Sequence, residues 1–332
     1  MRPIIIAITI ASALAAITGL NMMLNQTSLK SSPVQYAWTA WKMTNGKSYG
    51  TNSEETYRYS TFAQNYQQIQ NFDAKSHSFT IALNKFADMT FSEFKNVYLG
   101  LKAPKTQKMV RSISNITLPE SVDWRGKAVT PVKNQGHCGS CWAFSAIGAT
   151  EGVYAVKNSY IKRFSEQQLV DCAGESYGNH GCKGGNMDSA FDYEVKSGVQ
   201  EEQTYEYTAK VGTCQQDDSK MAFKISKYQD VPQANNEELM KALSQQPVSV
   251  GIDADYYFQL YNDGIYDKWS CGTQLNHGVL AVGYGSDSGK DFYTIKNSWG
   301  DSWGEEGYIR FARKSAGVGM CGITENASYP IA

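Results

Sequence analysis

Hydrophobic and polar positions change their period twice along the chain. Residues 4–20, IIIAITIASALAAITGL, are apolar and uncharged behind Met1 and Arg2. Small residues stand near Ala13 and Ala15, as at a cleavage site, so residues 1–20 read as a secretory signal peptide. The stretch is also just long enough to span a bilayer uncleaved, but only Lys30 stands where a stop-transfer cluster would be. Residues 34–72 are polar-aromatic with a helical period. Glu54, Arg58, Phe62, Asn65, Ile69 and Asp73, spaced 4, 4, 3, 4 and 4, lie along one helical stripe. Residues 102–117, KAPKTQKMVRSISNIT, carry no periodic apolar pattern and read as an exposed, easily cut linker. Beyond it, CWAFSAIGATEGVYAV places Trp142, Ala146, Ala149, Val153 and Val156 at spacings of 3 and 4. That pattern predicts a buried helix beginning at Cys141. Further helices are expected at Ser165–Val170 and Met187–Lys196. From Pro247 the period shortens to that of strands: PVSVGIDA, HGVLAVGYG, DFYTIKNSWG and GYIRFAR, parted by Gly, Asp and Ser turns. A helical half followed by a strand half, without βαβ alternation, predicts an α+β fold.

Aromatic residues make up 12% of the chain, which supports a packed core. The net charge of −1 hides an asymmetry. Up to Thr117 there are 12 basic and 5 acidic residues, and from Leu118 onward 19 basic and 27 acidic. Two oppositely charged segments of one chain are expected to bind each other. Neither has the basic stripe with interleaved aromatics of a nucleic-acid binder. Seven cysteines in an exported chain allow six to pair and leave one free.

His277 begins one strand run and Asn297 ends the next, with the midpoint at residue 287 inside the turn region Gly285–Lys290. An antiparallel hairpin about that turn would set the two face to face. A His oriented by an amide carbonyl is what a thiol nucleophile needs in order to lose its proton and return it to a leaving amine. The helix start at Cys141 favours a thiolate. The Cys141 N–H and the Gln135 side-chain amide are candidate oxyanion donors, and Trp299 is placed to shield the His277–Asn297 bond from water. Cys138-Gly139-Ser140-Cys141 also has the form of a redox or metal CxxC, in which either cysteine is the unpaired one. A redox pair wants a βαβ context, which is missing, and a zinc site wants a second pair that Cys172 and Cys182 do not supply. A catalytically silent relative would normally have lost the Cys, His or Asn, and all three are present.

QGHCGSCWAF, LNHGVLAVGYG and YTIKNSWGDSWGEEGY resemble the three active-site segments of papain-like cysteine peptidases. His277 and Asn297 stand 136 and 156 residues after Cys141. The 54–73 stripe resembles the helix motif of that family's prosegment, with Asp73 where Asn is usual. Ala82-Leu83-Asn84-Lys85-Phe86-Ala87-Asp88 resembles a second prosegment motif, with Ala82 replacing Gly. The start SVDWR and the terminal CGITENASYP resemble the cathepsin L-like branch, and no long insertion with paired His follows Cys182, so the cleft should be open at both ends. The resemblance implies a papain-like two-subdomain fold behind a helical inhibitory prosegment: residues 1–20 signal, 21–117 propeptide and 118–332 mature peptidase, with cleavage near 115–118.

The resemblance further implies a catalytic Cys141, His277 and Asn297 with Gln135 at the oxyanion, and the disulfides Cys138–Cys182, Cys172–Cys214 and Cys271–Cys321. Gly184 and Gly185 would offer backbone to an extended substrate. Met187, Gly251, Gly278 and, at its base, Asn326 would line a roomy apolar pocket for the residue two before the scissile bond. No metal and no cofactor are expected. The expected partners are polypeptide substrates, the chain's own propeptide and cystatin-type inhibitors, with no nucleic acid, no membrane once the signal is removed, and a monomeric mature form. The expected location is the secretory pathway, ending in a lysosome or vacuole or outside the cell. Asn25, Asn115 and Asn326 head glycosylation sequons, with Asn115 the favoured site and the pocket floor Asn326 unmodified.

Overall fold

The computed structural model describes residues 32–102, 112–113, 116–268, 271–313 and 317–332. The expected signal segment, most of the linker, Asn25 and Asn115 lie outside the described residues. The chain forms two compact units, one ending at Ala63 and the other beginning at Gln64.

In the first unit, helix α1 (Pro33–Thr44) begins where the Ser32 hydroxyl accepts the Gln35 N–H and Pro33 occupies a position whose missing N–H is no loss. Trp38 and Trp41 are buried and pack on each other and on Phe62, with ring centroids 5.1–5.4 Å apart. Lys42 pairs with Glu55. The predicted stripe is helix α2 (Asn52–Asn71), which crosses into the second unit, but Asp73 lies past its end. The Asp73 carboxylate accepts the Lys75 N–H and the Ser76 hydroxyl and caps a 3-10 turn, the local bonding at which a short acidic side chain excels.

The second unit continues with β1 (Phe79–Ile81) and α3 (Phe91–Tyr98), which starts in a Thr90/Glu93 capping box. After the linker come β2 (Val122–Asp123), α4 (Cys141–Asn158), α5 (Glu166–Cys172), α6 (Met187–Ser197), β3 (Val199–Gln200), β4 (Met221–Phe223), β5 (Lys227–Asp230) and α7 (Asn236–Leu243). The remainder is β6 (Val248–Ile252), α8 (Tyr256–Gln259), β7 (Tyr261–Tyr266), β8 (His277–Asp287), β9 (Lys290–Lys296), β10 (Tyr308–Ala312) and β11 (Ala327–Ile331). The main sheet runs β1-β7-β10-β9-β8-β6-β11-β5, with β2 paired to β8. All pairs are antiparallel except β7–β10. The α+β reading holds. Its strand β1 comes from upstream of the linker and extends the sheet of the downstream part.

Helix α4 is buried from Cys141 to Ala155, as an apolar run without a polar face requires. A Cβ at Gly148 would come within 2.9 Å of Leu280 and one at Gly152 within 2.7 Å of Pro247, so these glycines set how closely the helix lies against the sheet. Val156, expected in the buried stripe, is 44% exposed because the helix runs out of the core after Ala155. One apolar core lies among the strands and a second around α4, α5 and α6. The disulfides are Cys138–Cys182 and Cys172–Cys214 in the helical half and Cys271–Cys321 in the strand half, as the resemblance implied, and Cys141 is free. The CxxC string is thus one bridge and one thiol.

Candidate active site

Cys141 is the first residue of α4 and is fully buried. Its sulfur accepts N–H groups from Gly278 at 3.4 Å and from Gly100 at 3.3 Å. His277 opens β8, so the first bond ties the helix start to the strand start. With its proton on Nε2, the imidazole donates to Asn297 Oδ1 at 2.9 Å, and Nδ1 has no partner among the described residues. The Trp299 ring stacks on the imidazole at 4.7 Å and 23° and is itself fully buried.

The hairpin that joins them differs from the expected one. Its turn is Ser288-Gly289, both with positive φ (51° and 78°), as a two-residue hairpin loop requires. Pairing runs Asp287 with Lys290 through Gly283 with Thr294, then slips at Val282 to give Ala281 with Ile295 and Leu280 with Lys296. The symmetry point lies near residue 288, so His277 and Asn297 are not directly opposed. Their bond crosses diagonally. A bulge cannot be read from alternation alone, because it adds one residue to one strand only.

Gln135 is fully buried and held at both ends of its side chain. Its Oε1 accepts from Ser298 Oγ at 2.7 Å and Trp299 Nε1 at 3.0 Å. That leaves Nε2 to donate, at 2.8 Å to the Cys138 carbonyl and at 3.0 Å to the Tyr98 carbonyl. The upstream segment therefore lies in the cleft. Gly185 N–H donates to the Gly100 carbonyl at 2.9 Å, Lys102 N–H to the Gly185 carbonyl at 2.8 Å, and Leu101 N–H to the Asn276 carbonyl at 3.0 Å. The Leu101–Gly185 pairing is parallel. Gly184 has φ +111°, and a Cβ there would meet the Gly100 carbonyl oxygen at 2.4 Å, so the strand-like contact needs glycine.

Leu101 fills the expected apolar pocket. A Cβ at Gly251 would stand 2.8 Å from Leu101, 3.2 Å from Leu275 and 3.3 Å from Asn326, and one at Gly278 would stand 3.2 Å from the Met187 sulfur. Leu275 is a lining residue that sequence reasoning missed. Its only signal is an apolar side chain two residues before His277.

Burial beneath this segment decides the protonation states. Desolvation pushes the Cys141 thiol up, while N–H groups of Gly278, Gly100, Trp142 and Cys141 pull it down by less. Burial likewise pushes His277 down to about 4, against the Asn297 bond. With the cleft filled, thiol and imidazole are both neutral at pH 5–7. The helix-end preference for a thiolate is outweighed in this state.

The second prosegment-like motif is anchored below the cleft. Phe86 is buried edge-on to Tyr98 and Trp299, Asn84 Nδ2 donates to the Gln259 carbonyl at 2.8 Å, and Lys85 donates to the Trp299 carbonyl. Ala82 does not have a positive φ, so its replacement of Gly is without strain. Among the described residues no group of three or more His, Cys, Asp or Glu is placed to hold a metal, and no helix is long and apolar enough to cross a membrane.

The family model for papain family cysteine proteases matches residues 118–331. The chain belongs to the papain family of cysteine proteases. A second model, the cathepsin propeptide inhibitor domain, matches residues 38–94, so this protease carries its own inhibitory prosegment. A cathepsin L-like peptidase of Aedes aegypti is 41% identical over 319 residues, which are 90% of this chain and 93% of that one. Cysteine proteinase RD21A of Arabidopsis thaliana is 44% identical over 310 residues, 90% of this chain and 66% of that longer protein. Among solved structures, digestive procathepsin L 3 of the Tenebrio molitor larval midgut superposes with a TM-score of 0.83 at 41% identity, covering 91% of this chain and 100% of that one. The protease is thus a cathepsin L-like cysteine peptidase with an intramolecular inhibitor.

Proposed function

We propose that this protease is made as a secretory-pathway precursor, with residues 1–20 as signal, 21–117 as propeptide and 118–332 as the mature enzyme, and that it cleaves polypeptides internally through Cys141. His277 takes the thiol proton, and the sulfur attacks the peptide carbonyl carbon. The oxyanion sits between the Cys141 N–H and the Gln135 amide. The imidazolium returns its proton to the leaving amine, and water then hydrolyses the acyl-enzyme. Asn297 orients the imidazole, and Trp299 shields that bond. The observation that carries this reading is the 2.9 Å His277–Asn297 bond, which leaves Nδ1 for the thiol. The test is removal of the sulfur by Cys141→Ala, with peptide hydrolysis and prosegment removal both followed.

The pocket formed by Met187, Gly251, Gly278, Leu275 and Asn326 takes an apolar residue two before the scissile bond. Leu101 in that pocket supports this, and Asn326 brings no charge to pair an arginine. In a peptide library, Leu, Phe, Val and Tyr are expected to outrank Arg at that position; Arg ahead of Leu and Phe would overturn the assignment. Gly184 and Gly185 bind the substrate backbone there. Asn326, only 8% exposed, stays unglycosylated.

Acid triggers activation. Residues 21–117 carry 11 basic and 5 acidic side chains against a mature part with eight more acidic than basic, and acidification toward the carboxylate range removes the negative partner. Asp267 is a late contributor. It bonds the prosegment's Ser78, and His77 at 3.1 Å; burial opposes ionisation, but these bonds outweigh it and hold its carboxyl below the ordinary aspartate range, so its grip outlasts that of unpartnered carboxylates as the pH falls. The separated prosegment is expected to inhibit the mature enzyme more weakly at pH 4 than at pH 7, and more weakly in high salt at pH 7. Equal inhibition under all these conditions would sink the electrostatic mechanism. The mature enzyme is read as a monomer, open to cystatin-type inhibitors, acting in a lysosome or vacuole or outside the cell.

A further inference from the structure

Serine is among the strongest helix N-caps because its hydroxyl accepts an N–H from the first turn. Ser140 occupies that position on α4, yet its hydroxyl makes no such bond. It bonds instead to the Tyr207 hydroxyl at 2.6 Å, and Tyr207 in turn donates to the Gln135 main-chain carbonyl at 2.8 Å. Tyr207 has one proton to give, so Ser140 is the donor in the first bond. The Tyr207 ring packs edge-on against Phe144, one turn into the same helix, at 4.9 Å. A single phenol therefore touches the loop that carries one oxyanion donor, the residue before the other, and the helix that bears the thiol.

We propose that Tyr207 is a positioning residue for the oxyanion site: it fixes Gln135 from the main-chain side and keeps the Ser140 hydroxyl away from the start of α4. Ser298 and Trp299 hold the far end of the Gln135 side chain, so the Tyr207 bond completes a grip that aims Nε2 into the cleft. Drawing off Ser140 leaves the positive end of α4 to the sulfur and the developing oxyanion rather than to a serine oxygen. The proposal rests on the oxyanion role given above to Gln135 and the Cys141 N–H.

The experiment uses enzyme activated from the full chain, with each preparation normalised by iodoacetamide titration of its free thiol so that only folded sites are counted. For Tyr207→Phe, kcat on a peptide amide is expected to fall about 10-fold with KM within twofold. Affinity for a Leu-containing peptide aldehyde, whose hemithioacetal oxygen needs the oxyanion site, is expected to fall by a similar factor. The matching alcohol, which forms no adduct, should bind unchanged. In Tyr207→Phe combined with Ser140→Ala no hydroxyl remains to cap the helix, and at least threefold of the lost kcat should return. Ser140→Ala alone should keep kcat within threefold, a reading that does not depend on altering Tyr207. A Tyr207→Phe enzyme with parental kcat, equal losses for aldehyde and alcohol, no recovery in the double variant, or a more than 10-fold loss in Ser140→Ala would each overturn the proposal. Gln135→Ala separates the two levels. It should cost about 100-fold in kcat, the usual scale for one oxyanion donor. No loss there refutes the oxyanion reading itself, whereas a loss there beside an unaffected Tyr207→Phe refutes only the role of Tyr207.

Discussion

Cys141→Ala in the full chain is expected to lower kcat for peptide hydrolysis by about 10⁶-fold, the scale seen when a protease loses a nucleophile that acts as one unit with its base. What remains would be water attack in a site that still binds substrate. The same change should stop self-removal of the prosegment, so the purified chain stays at precursor length in acid. Folding should survive. The sulfur is buried, but its loss leaves only backbone N–H groups, chiefly those of Gly278 and Gly100, without a weak acceptor, at a cost of about 1 kcal/mol each. The measurement pairs single-turnover hydrolysis with a thermal melt. Activity within 10-fold of the parent, in a variant that melts within a few degrees of it, would mean that the thiol is not the nucleophile. A collapse of the melt together with activity would mean that the sulfur is structural.

Much of this site is legible in the chain because its chemistry sits in short contiguous strings. Gln135 and Cys141 share one loop-to-helix segment, and His277 and Asn297 flank one hairpin. The α+β order follows from where the apolar period changes. Other features have no local signal. The Val282 bulge, which shifts the hairpin register by one residue toward the His277–Asn297 end, arises from pairing with neighbours. That Tyr98 to Lys102 fill the cleft depends on contacts distant in sequence, such as Tyr98 with Gln135, 37 residues on, and Gly100 with Cys141, 41 residues on. Buried charge is the least visible. The helical spacing of α4 marks Trp142, Ala146, Ala149 and Val153, yet Thr150 and Glu151 between them are just as buried. Glu151 is satisfied by Lys133 at 2.9 Å, which also reaches Glu166 at 2.7 Å, partners supplied by distant segments. Strands β5 (KYQD), β7 (YNDGIY) and β11 (ASYPI) have no such signal either, because polar residues, a glycine or a proline break their alternation and they take their burial from the sheet that receives them.

Glu194 gives the second large effect. It lies on α6, 1% exposed, with Oε2 accepting the Thr150 hydroxyl at 2.5 Å and Oε1 without a partner among the described residues. Burial pushes its carboxyl from 4.5 up to about 8, with only the Thr150 bond opposing. An acid whose folded value is raised binds its proton more tightly when folded. Below pH 4.5 both states are protonated and the full stability is present. From there to about pH 8 the unfolded chain ionises while the folded one does not, so stability falls by about 1.4 kcal/mol per pH unit, a few kcal/mol in all. Glu194→Gln removes the titration, and in the Cys141→Ala chain, where self-digestion cannot interfere, it should flatten the fall in thermal midpoint between pH 5 and pH 8. The slope is the readout rather than the absolute midpoint, because glutamine brings buried N–H groups of its own. At roughly 2 °C per kcal/mol for a chain of this size, the two melting curves should diverge by several degrees at pH 8 relative to pH 5. Parallel midpoints across that range would show that Glu194 ionises in the folded protein at an ordinary pH, and that water or a local opening reaches it.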